Sequence, residues 1–134
     1  MKTDYIYELK MKVRDYECDS QGIVNNANYQ HYTEHTRHEF LESRGIKFST
    51  LQEQGIVPVV ARIVLEYKTS LKGGDMFYSR LNVKKEGIRY IFQQDIYRAE
   101  DEKLCVKAVV ECVCIVNGRL KTHEIFDKIL IPNS

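Results

Sequence analysis

Asp19-Ser20-Gln21-Gly22-Ile23-Val24-Asn25-Asn26-Ala27-Asn28-Tyr29 sets one acid, one glycine and three asparagines immediately before a run with helical periodicity. Asparagine disfavours helix interiors and strands, and it settles in turns and caps. The stretch therefore reads as a loop that feeds a helix. From Asn28 to Ser43, Tyr29, Tyr32, Thr36 and Phe40 recur on one helical face, and Gly45 stands where a C-terminal cap belongs. On the other side of the loop, Tyr5 to Val13 alternates: odd positions read Tyr, Tyr, Leu, Met, Val, and even ones include Glu8, Lys10 and Lys12. Period two marks a half-buried strand.

Further out, Ser49 to Gln52 has capping-box spacing for a second short helix closed by Gly55. Val57 to Lys68 is rich in β-branched residues, with Val57, Val59, Ala61, Ile63, Leu65 and Tyr67 alternating against Arg62, Glu66 and Lys68. Gly73-Gly74-Asp75 makes a turn. Phe77 to Lys84, Ile88 to Tyr97 and Leu104 to Val116 read as further strands, and Asn117-Gly118 ends the last of them. Their connections are too short for helical crossovers, so they form an antiparallel meander. Thr122 to Leu130 reads as a short C-terminal helix. The order predicts an α+β chain: a five-stranded antiparallel sheet wrapped around one long central helix. Such a sheet has open edges, which proteins cover or pair, so a homodimer or a homotetramer of two dimers is expected.

The 134 residues suit one domain spanning 1–134. Twenty Lys+Arg balance 19 Asp+Glu, which argues against nucleic acid as a partner. No apolar run reaches membrane-spanning length, and the start has no signal-peptide core. Cys18, Cys105, Cys112 and Cys114 follow no disulfide or CxxC spacing, so they read as reduced thiols in a cytoplasmic protein. Cys112 and Cys114 share one face of a strand and read as small buried apolar side chains.

The loop from Asp19 to Tyr29 resembles the signature of the 4-hydroxybenzoyl-CoA thioesterase family, within the hotdog-fold superfamily. Glu34-His35-Thr36-Arg37 resembles that family's Glu-x-x-Arg on the central helix, and the Gly-Gly-Asp turn resembles its usual Gly-Asp. The resemblance implies a hotdog fold and hydrolysis of an acyl-CoA thioester, with Asp19 as nucleophile or general base. Asn26 takes the place of a family His or Asn that meets the acyl carbonyl or holds the acid. Gln21, Gly22 and Tyr29 fall in substrate-binding positions, Gln21 to orient water and Gly22 to admit the substrate close to the backbone. No cofactor is implied, because coenzyme A is part of the substrate.

The chemistry stands independently of the likeness. An ionised carboxylate beside a thioester carbonyl can activate water or attack directly, and helix N-terminal amides can hold the oxyanion. The chain departs from many relatives in having Ile23 and Asn26 where they carry histidine, so Asp19 must move the protons without an imidazole in the loop. Two other readings compete: a non-catalytic module that binds an acyl group, and a hydrolase of acyl-carrier-protein thioesters.

Other motifs carry less. His31-Tyr32-Thr33-Glu34-His35, with His38 one turn on, matches the H-x-x-E-H pattern of inverted zinc peptidases. A solvated or interface-facing polar stripe explains it better, and no metal site is expected. Lys84, Lys85 and Arg89 flank a hairpin turn and are candidates for the coenzyme A phosphates, with Lys68 and Lys72 as rivals. Cys18 has no nearby histidine and does not read as a nucleophile. Phe40, Phe48, Phe77 and Phe92 suit an acyl pocket or plain core packing equally.

Overall fold

The computed structural model describes residues 5–130, so the expected domain limits at 1 and 134 lie outside the described residues. β1 (Tyr7–Lys12) leads through a 3-10 turn at Asp15–Glu17 and the asparagine-rich loop into α1 (Asn26–Ser43). After α2 (Phe48–Glu53) come β2 (Ile56–Tyr67), β3 (Met76–Glu86), β4 (Arg89–Arg98) and β5 (Leu104–Val116). A two-residue β6 (Arg119–Leu120), α3 (Glu124–Asp127) and a 3-10 turn at Lys128–Leu130 follow. The strands pair antiparallel in the order β1-β3-β4-β5-β2, with β6 added to β5. This is the hotdog arrangement, a curled antiparallel sheet holding one long helix. The sixth strand, a two-residue extension after the Asn117-Gly118 turn, goes beyond the expected five.

α1 buries Tyr29, Tyr32, Thr33, Thr36, Arg37, Phe40 and Leu41, which repeat every three or four residues along one stripe. The stripe meets the alternating inward residues of β4, namely Tyr90, Phe92, Gln94 and Ile96. Aromatic contacts mark the ends: the Tyr32 and Phe77 rings lie 4.7 Å apart, and Phe40 meets Phe92 edge-on at 6.4 Å. Between the two apolar clusters runs a polar seam. Thr36 Oγ1 and Ser79 Oγ lie 2.6 Å apart, while Arg37 donates to Gln94, whose amide donates to the Thr33 carbonyl.

Several boundaries differ from expectation for identifiable reasons. α1 begins at Asn26 rather than Asn28, because Asn25 is its cap and accepts from the Ala27 N–H at 3.0 Å. The capping box expected at Ser49 and Gln52 does not form. α2 starts at Phe48 after Lys47, whose side chain makes no cap bond, and burial of Ile46 and Leu51 sets the helix phase instead. The C-terminal helix is confined to Glu124–Asp127 with its 3-10 extension, capped by His123 Nδ1. In β2 the alternating set Val57, Val59, Ala61, Ile63, Leu65 and Tyr67 does not form one buried face: Ile63 and Leu65 are half-buried, whereas Val57, Val59 and Tyr67 are exposed. β2 is an edge strand, and an irregularity between Val60 and Arg62 shifts its alternation.

On the sheet face away from α1, Asp95 is 4% exposed, and its Oδ1 has no hydrogen-bond partner. The Tyr5 hydroxyl donates to Oδ2 at 2.6 Å. Burial is the largest influence and pushes the Asp95 carboxyl above the ordinary carboxylate range, opposed by the Tyr5 bond and Lys107. The folded chain therefore holds this proton more tightly than the unfolded chain. Its contribution to stability is present below the unfolded value and is lost as pH rises through the folded one. Asp95→Asn should raise the melting temperature at pH 7, with a gain on the order of 1 kcal/mol from removing a poorly satisfied buried charge. The gain over wild type should shrink towards pH 4. Equal melting curves for both proteins at pH 7 would contradict this.

Candidate active site

The loop ahead of α1 is built on a buried carboxylate that the sequence did not single out. Glu17, 7% exposed, accepts from the Arg14 N–H at 2.8 Å, the Tyr32 hydroxyl at 2.8 Å and the Arg14 guanidinium at 3.1 Å. Its backbone carbonyl takes the Asn25 N–H at 3.0 Å and the Asn28 side-chain amide at 2.8 Å. One residue thus ties the 3-10 turn, the loop and the first turns of α1 together. Arg14-x-x-Glu17 spacing was the available signal, and it is shared by many solvated pairs.

Above this anchor the chain folds back on itself. Cys18 bridges Val24, the Asp19 N–H donates to the Ile23 carbonyl at 2.9 Å, and the Gly22 N–H returns to the Asp19 carbonyl at 3.0 Å. Gly22 has a φ of +79°, in the left-handed region where a side chain brings strain, although nothing crowds its Cβ position. The Asp19 side chain is exposed, and its Oδ1 accepts from the Gln21 N–H at 2.8 Å. That Asx turn fixes one oxygen and leaves Oδ2 with no protein partner among the described residues.

The unpaired N–H groups at the start of α1 are fewer than a bare helix end provides. The Ala27 N–H is held by Asn25 Oδ1, and the Asn28 N–H by the Asn25 carbonyl. The Asn26 N–H has no protein partner among the described residues, and the Asn26 side chain beside it is exposed. Tyr29 is buried at the loop's base, where its hydroxyl accepts from the Leu71 N–H at 3.0 Å. The Val24 N–H reaches the Leu71 carbonyl and Ile23 bridges Lys72, so the segment before β3 forms the loop's other wall.

The basic candidates separate. Lys72 lies against the loop and makes no side-chain ion pair among the described residues, whereas Lys68 pairs with Glu66 at 3.0 Å. Lys84, Lys85 and Arg89 sit at the tip of the β3–β4 hairpin, the far end of an 11-residue strand that spans roughly 35 Å when extended. Each is paired there, with Glu86, Asp127 and Glu111 respectively. Within one chain they do not converge with Asp19.

The histidine stripe of α1 is a row of partly exposed pairs. His38 lies 4.0 Å from Glu34 and against the Phe48 ring, and His35 lies 3.9 Å from Glu39. Burial pushes the His38 imidazole below its usual value. Among the described residues no three His, Cys, Asp or Glu side chains are arranged to hold a metal ion. Cys105, Cys112 and Cys114 are buried, and burial pushes all three thiols up.

Residues 13–131, from the end of β1 past α3, match the family model of the thioesterase-like superfamily. The chain belongs to that superfamily. This thioesterase-like chain is 33% identical over 103 residues to a chloroplastic acyl-acyl carrier protein thioesterase of Arabidopsis thaliana, covering 76% of its own length and 54% of that relative. The chain thus spans about half the length of that plant protein. It is 26% identical to an acyl-CoA thioesterase of Haemophilus influenzae over 117 residues, with 86% and 85% covered. Among solved structures, a hypothetical protein from Aquifex aeolicus superposes with a TM-score of 0.86 at 28% identity, covering 93% of this chain and 99% of that one. No helix among the described residues is long and apolar enough to cross a membrane.

Proposed function

We propose that this protein hydrolyses acyl-CoA thioesters, and that it stands within the 4-hydroxybenzoyl-CoA thioesterase branch of its superfamily. The observation that carries the reading is the exposed Asp19 carboxylate, held by one oxygen in an Asx turn beside a helix start whose Asn26 N–H has no partner among the described residues. In the general-base route, Oδ2 takes a proton from water as the water oxygen bonds to the thioester carbon. The carbonyl oxygen gains negative charge against the Asn26 N–H. Collapse breaks the C–S bond, and the thiolate of coenzyme A receives the proton from Asp19. In the nucleophilic route the same oxygen bonds to carbon first, the C–S bond breaks and the coenzyme A thiolate leaves, and water then opens the resulting anhydride, releasing the acid and restoring Asp19. Gln21 orients the water, Gly22 and Tyr29 shape the wall, and no cofactor beyond the substrate's own coenzyme A takes part.

The test is thiol release from short, long, branched and aryl acyl-CoAs, run beside the corresponding acyl-carrier-protein thioesters. The second set enters because of the 33% identity to the plant protein. Turnover of neither set would leave a non-catalytic acyl-binding module.

The proposal includes a homodimer, or a homotetramer of two dimers, in the cytoplasm, without nucleic-acid or membrane partners. Support comes from β2, 12 residues long and last in the strand order, whose outer edge pairs with no strand among the described residues. A second copy pairing there satisfies the open N–H and C=O groups. Sedimentation equilibrium should give at least a dimer; a stable, fully active monomer would overturn it.

Two basic groups compete for the coenzyme A phosphates. Lys72 adjoins the loop, with Lys68 four residues before it, whereas Lys84, Lys85 and Arg89 reach a site only across a subunit boundary. Lys72→Ala should raise KM roughly threefold to tenfold with kcat unchanged, since it meets a remote part of the substrate. The same change from Lys84→Ala, Lys85→Ala or Arg89→Ala instead would place the contact across the boundary.

A further inference from the structure

β6 plays no part in the chemistry above, yet it extends the line of β4 beyond the end of that strand. Arg89, the first residue of β4, stands opposite Val113 of β5. Next along β5 the Lys121 N–H donates to the Cys114 carbonyl at 3.1 Å, and Leu120 and Arg119 then face Ile115 and Val116. β2 takes the other side of β5 at the same level, with Ile56 opposite Val116. β5 therefore stands between β6 and the edge where a second copy pairs. Arg119, Leu120 and Lys121 are exposed, Leu120 at 59%, next to Ile88 at 45% in the β3–β4 turn.

This end is basic as well as apolar. Lys84, Lys85 and Arg89 are matched by Glu86, Asp127 and Glu111, but Arg119 and Lys121 make no ion pair among the described residues. Cations thus exceed acids here, in a chain whose charges balance. The loop end is the reverse: burial first, and then the charges of Asp15, Asp19, Glu17 and Asp75, push the Cys18 thiol up. An acidic partner is drawn to the β6 end and repelled by the loop of the same chain. Phosphate groups alone need only the cations. Leu120 and Ile88 add the apolar contact that an acidic protein helix meets with apolar side chains of its own. Two such side chains are a slender anchor for a bilayer.

We propose that the β6 end docks a small acidic protein carrying the acyl group as a thioester, and that this partner feeds the Asp19 loop of the facing copy. β2 runs from Ile56, level with β6, to Tyr67, whose ring lies 5.6 Å from that of Tyr29 at the base of the loop. Two β2 strands paired antiparallel about a two-fold axis set the β6 end of one copy level with the loop of the other. From β6 to the shared edge is two strand spacings, about 10 Å, a gap that a flexible acyl-bearing arm crosses. The delivery rests on the thioesterase and dimer readings; the docking does not.

Hexanoyl-acyl carrier protein and hexanoyl-CoA, offered to the full chain as rival substrates, test it. The double variant Arg119→Glu, Lys121→Glu should lower kcat/KM for the protein-borne thioester at least about tenfold, through KM, and leave the coenzyme A thioester within about twofold. Leu120→Ser should act in the same direction. For wild type the protein-borne thioester alone should lose about tenfold in kcat/KM between about 20 mM and about 300 mM NaCl. Calorimetry with holo acyl carrier protein, which holds no acyl bond to cleave, reads docking without chemistry. Binding that the double variant loses, with no turnover of either thioester, would sink the catalytic reading and leave this one standing. Equal losses on both substrates, no loss on either, or no binding of the carrier protein overturns the proposal. So does adsorption to phosphatidylglycerol vesicles without carrier binding. Weakened self-association of the double variant, again without carrier binding, also overturns it, since the β6 end is then a contact between copies.

Discussion

Asp19→Asn should lower kcat by at least about a hundredfold while KM stays near the wild-type value. The substitution isolates charge from shape. Asn keeps an oxygen at the Oδ1 position, so the bond from the Gln21 N–H and the turn it closes survive. What disappears is the basicity and negative charge of Oδ2, the oxygen of Asp19 with no protein partner among the described residues. With Ile23 and Asn26 where histidines often stand, no imidazole in the loop is available to take over the proton. Asn26→Ala should cost less, on the order of tenfold to a hundredfold, because its backbone N–H remains at the helix start. Near-native turnover by a folded Asp19→Asn protein would reduce the loop to a capped turn.

Glu17→Ala should be the most damaging change to the scaffold, lowering stability by roughly 3 kcal/mol, the scale for breaking a buried charged network. It strands the Tyr32 hydroxyl and the Arg14 N–H, and it removes the partner of the Arg14 guanidinium. Tyr32→Phe removes one of those bonds and should cost about 1–2 kcal/mol. The double variant should cost less than the sum of the two, because they share a bond. Activity should fall in the same order at temperatures where each protein is folded, since Glu17 holds the loop that carries Asp19. Denaturant melts showing Glu17→Ala within about 0.5 kcal/mol of wild type would remove that role.

The fold was legible because it rests on periodicity. Tyr7, Leu9 and Met11 show alternation in β1, Tyr29 to Leu41 show the helical stripe, and the short links after β3 leave only an antiparallel meander. Legibility ended where tertiary context decides. Ser49 has the spacing of a cap, but burial of Ile46 and Leu51 outweighs it. The alternating set of β2 looks like one buried face, but edge position leaves Val57, Val59 and Tyr67 exposed. In the site, the loop's place before α1 was readable, and the separation of Lys84, Lys85 and Arg89 from it was not. A hairpin's far tip is close in local sequence pattern and distant in space. Glu17 and Gln94 were missed because a single polar residue in a strand or turn gives no sign of which buried donor it will meet.

The polar seam through the helix–sheet interface has a consequence for how this chain can change. Thr36, Ser79, Arg37 and Gln94 satisfy one another only at one rotation and one translation of α1. A helix that slid by one turn would leave buried groups unsatisfied, so the seam acts as an index mark for the helix on the sheet. The loop end, with Tyr29, Tyr32 and Phe77, is thereby decoupled from the far end, with Phe40, Phe92 and Phe126. Side chains at the far end can be exchanged to fit a different ligand while the Asp19 loop keeps its place. A saturation scan of all positions should find tolerance at the far end and intolerance along the seam itself.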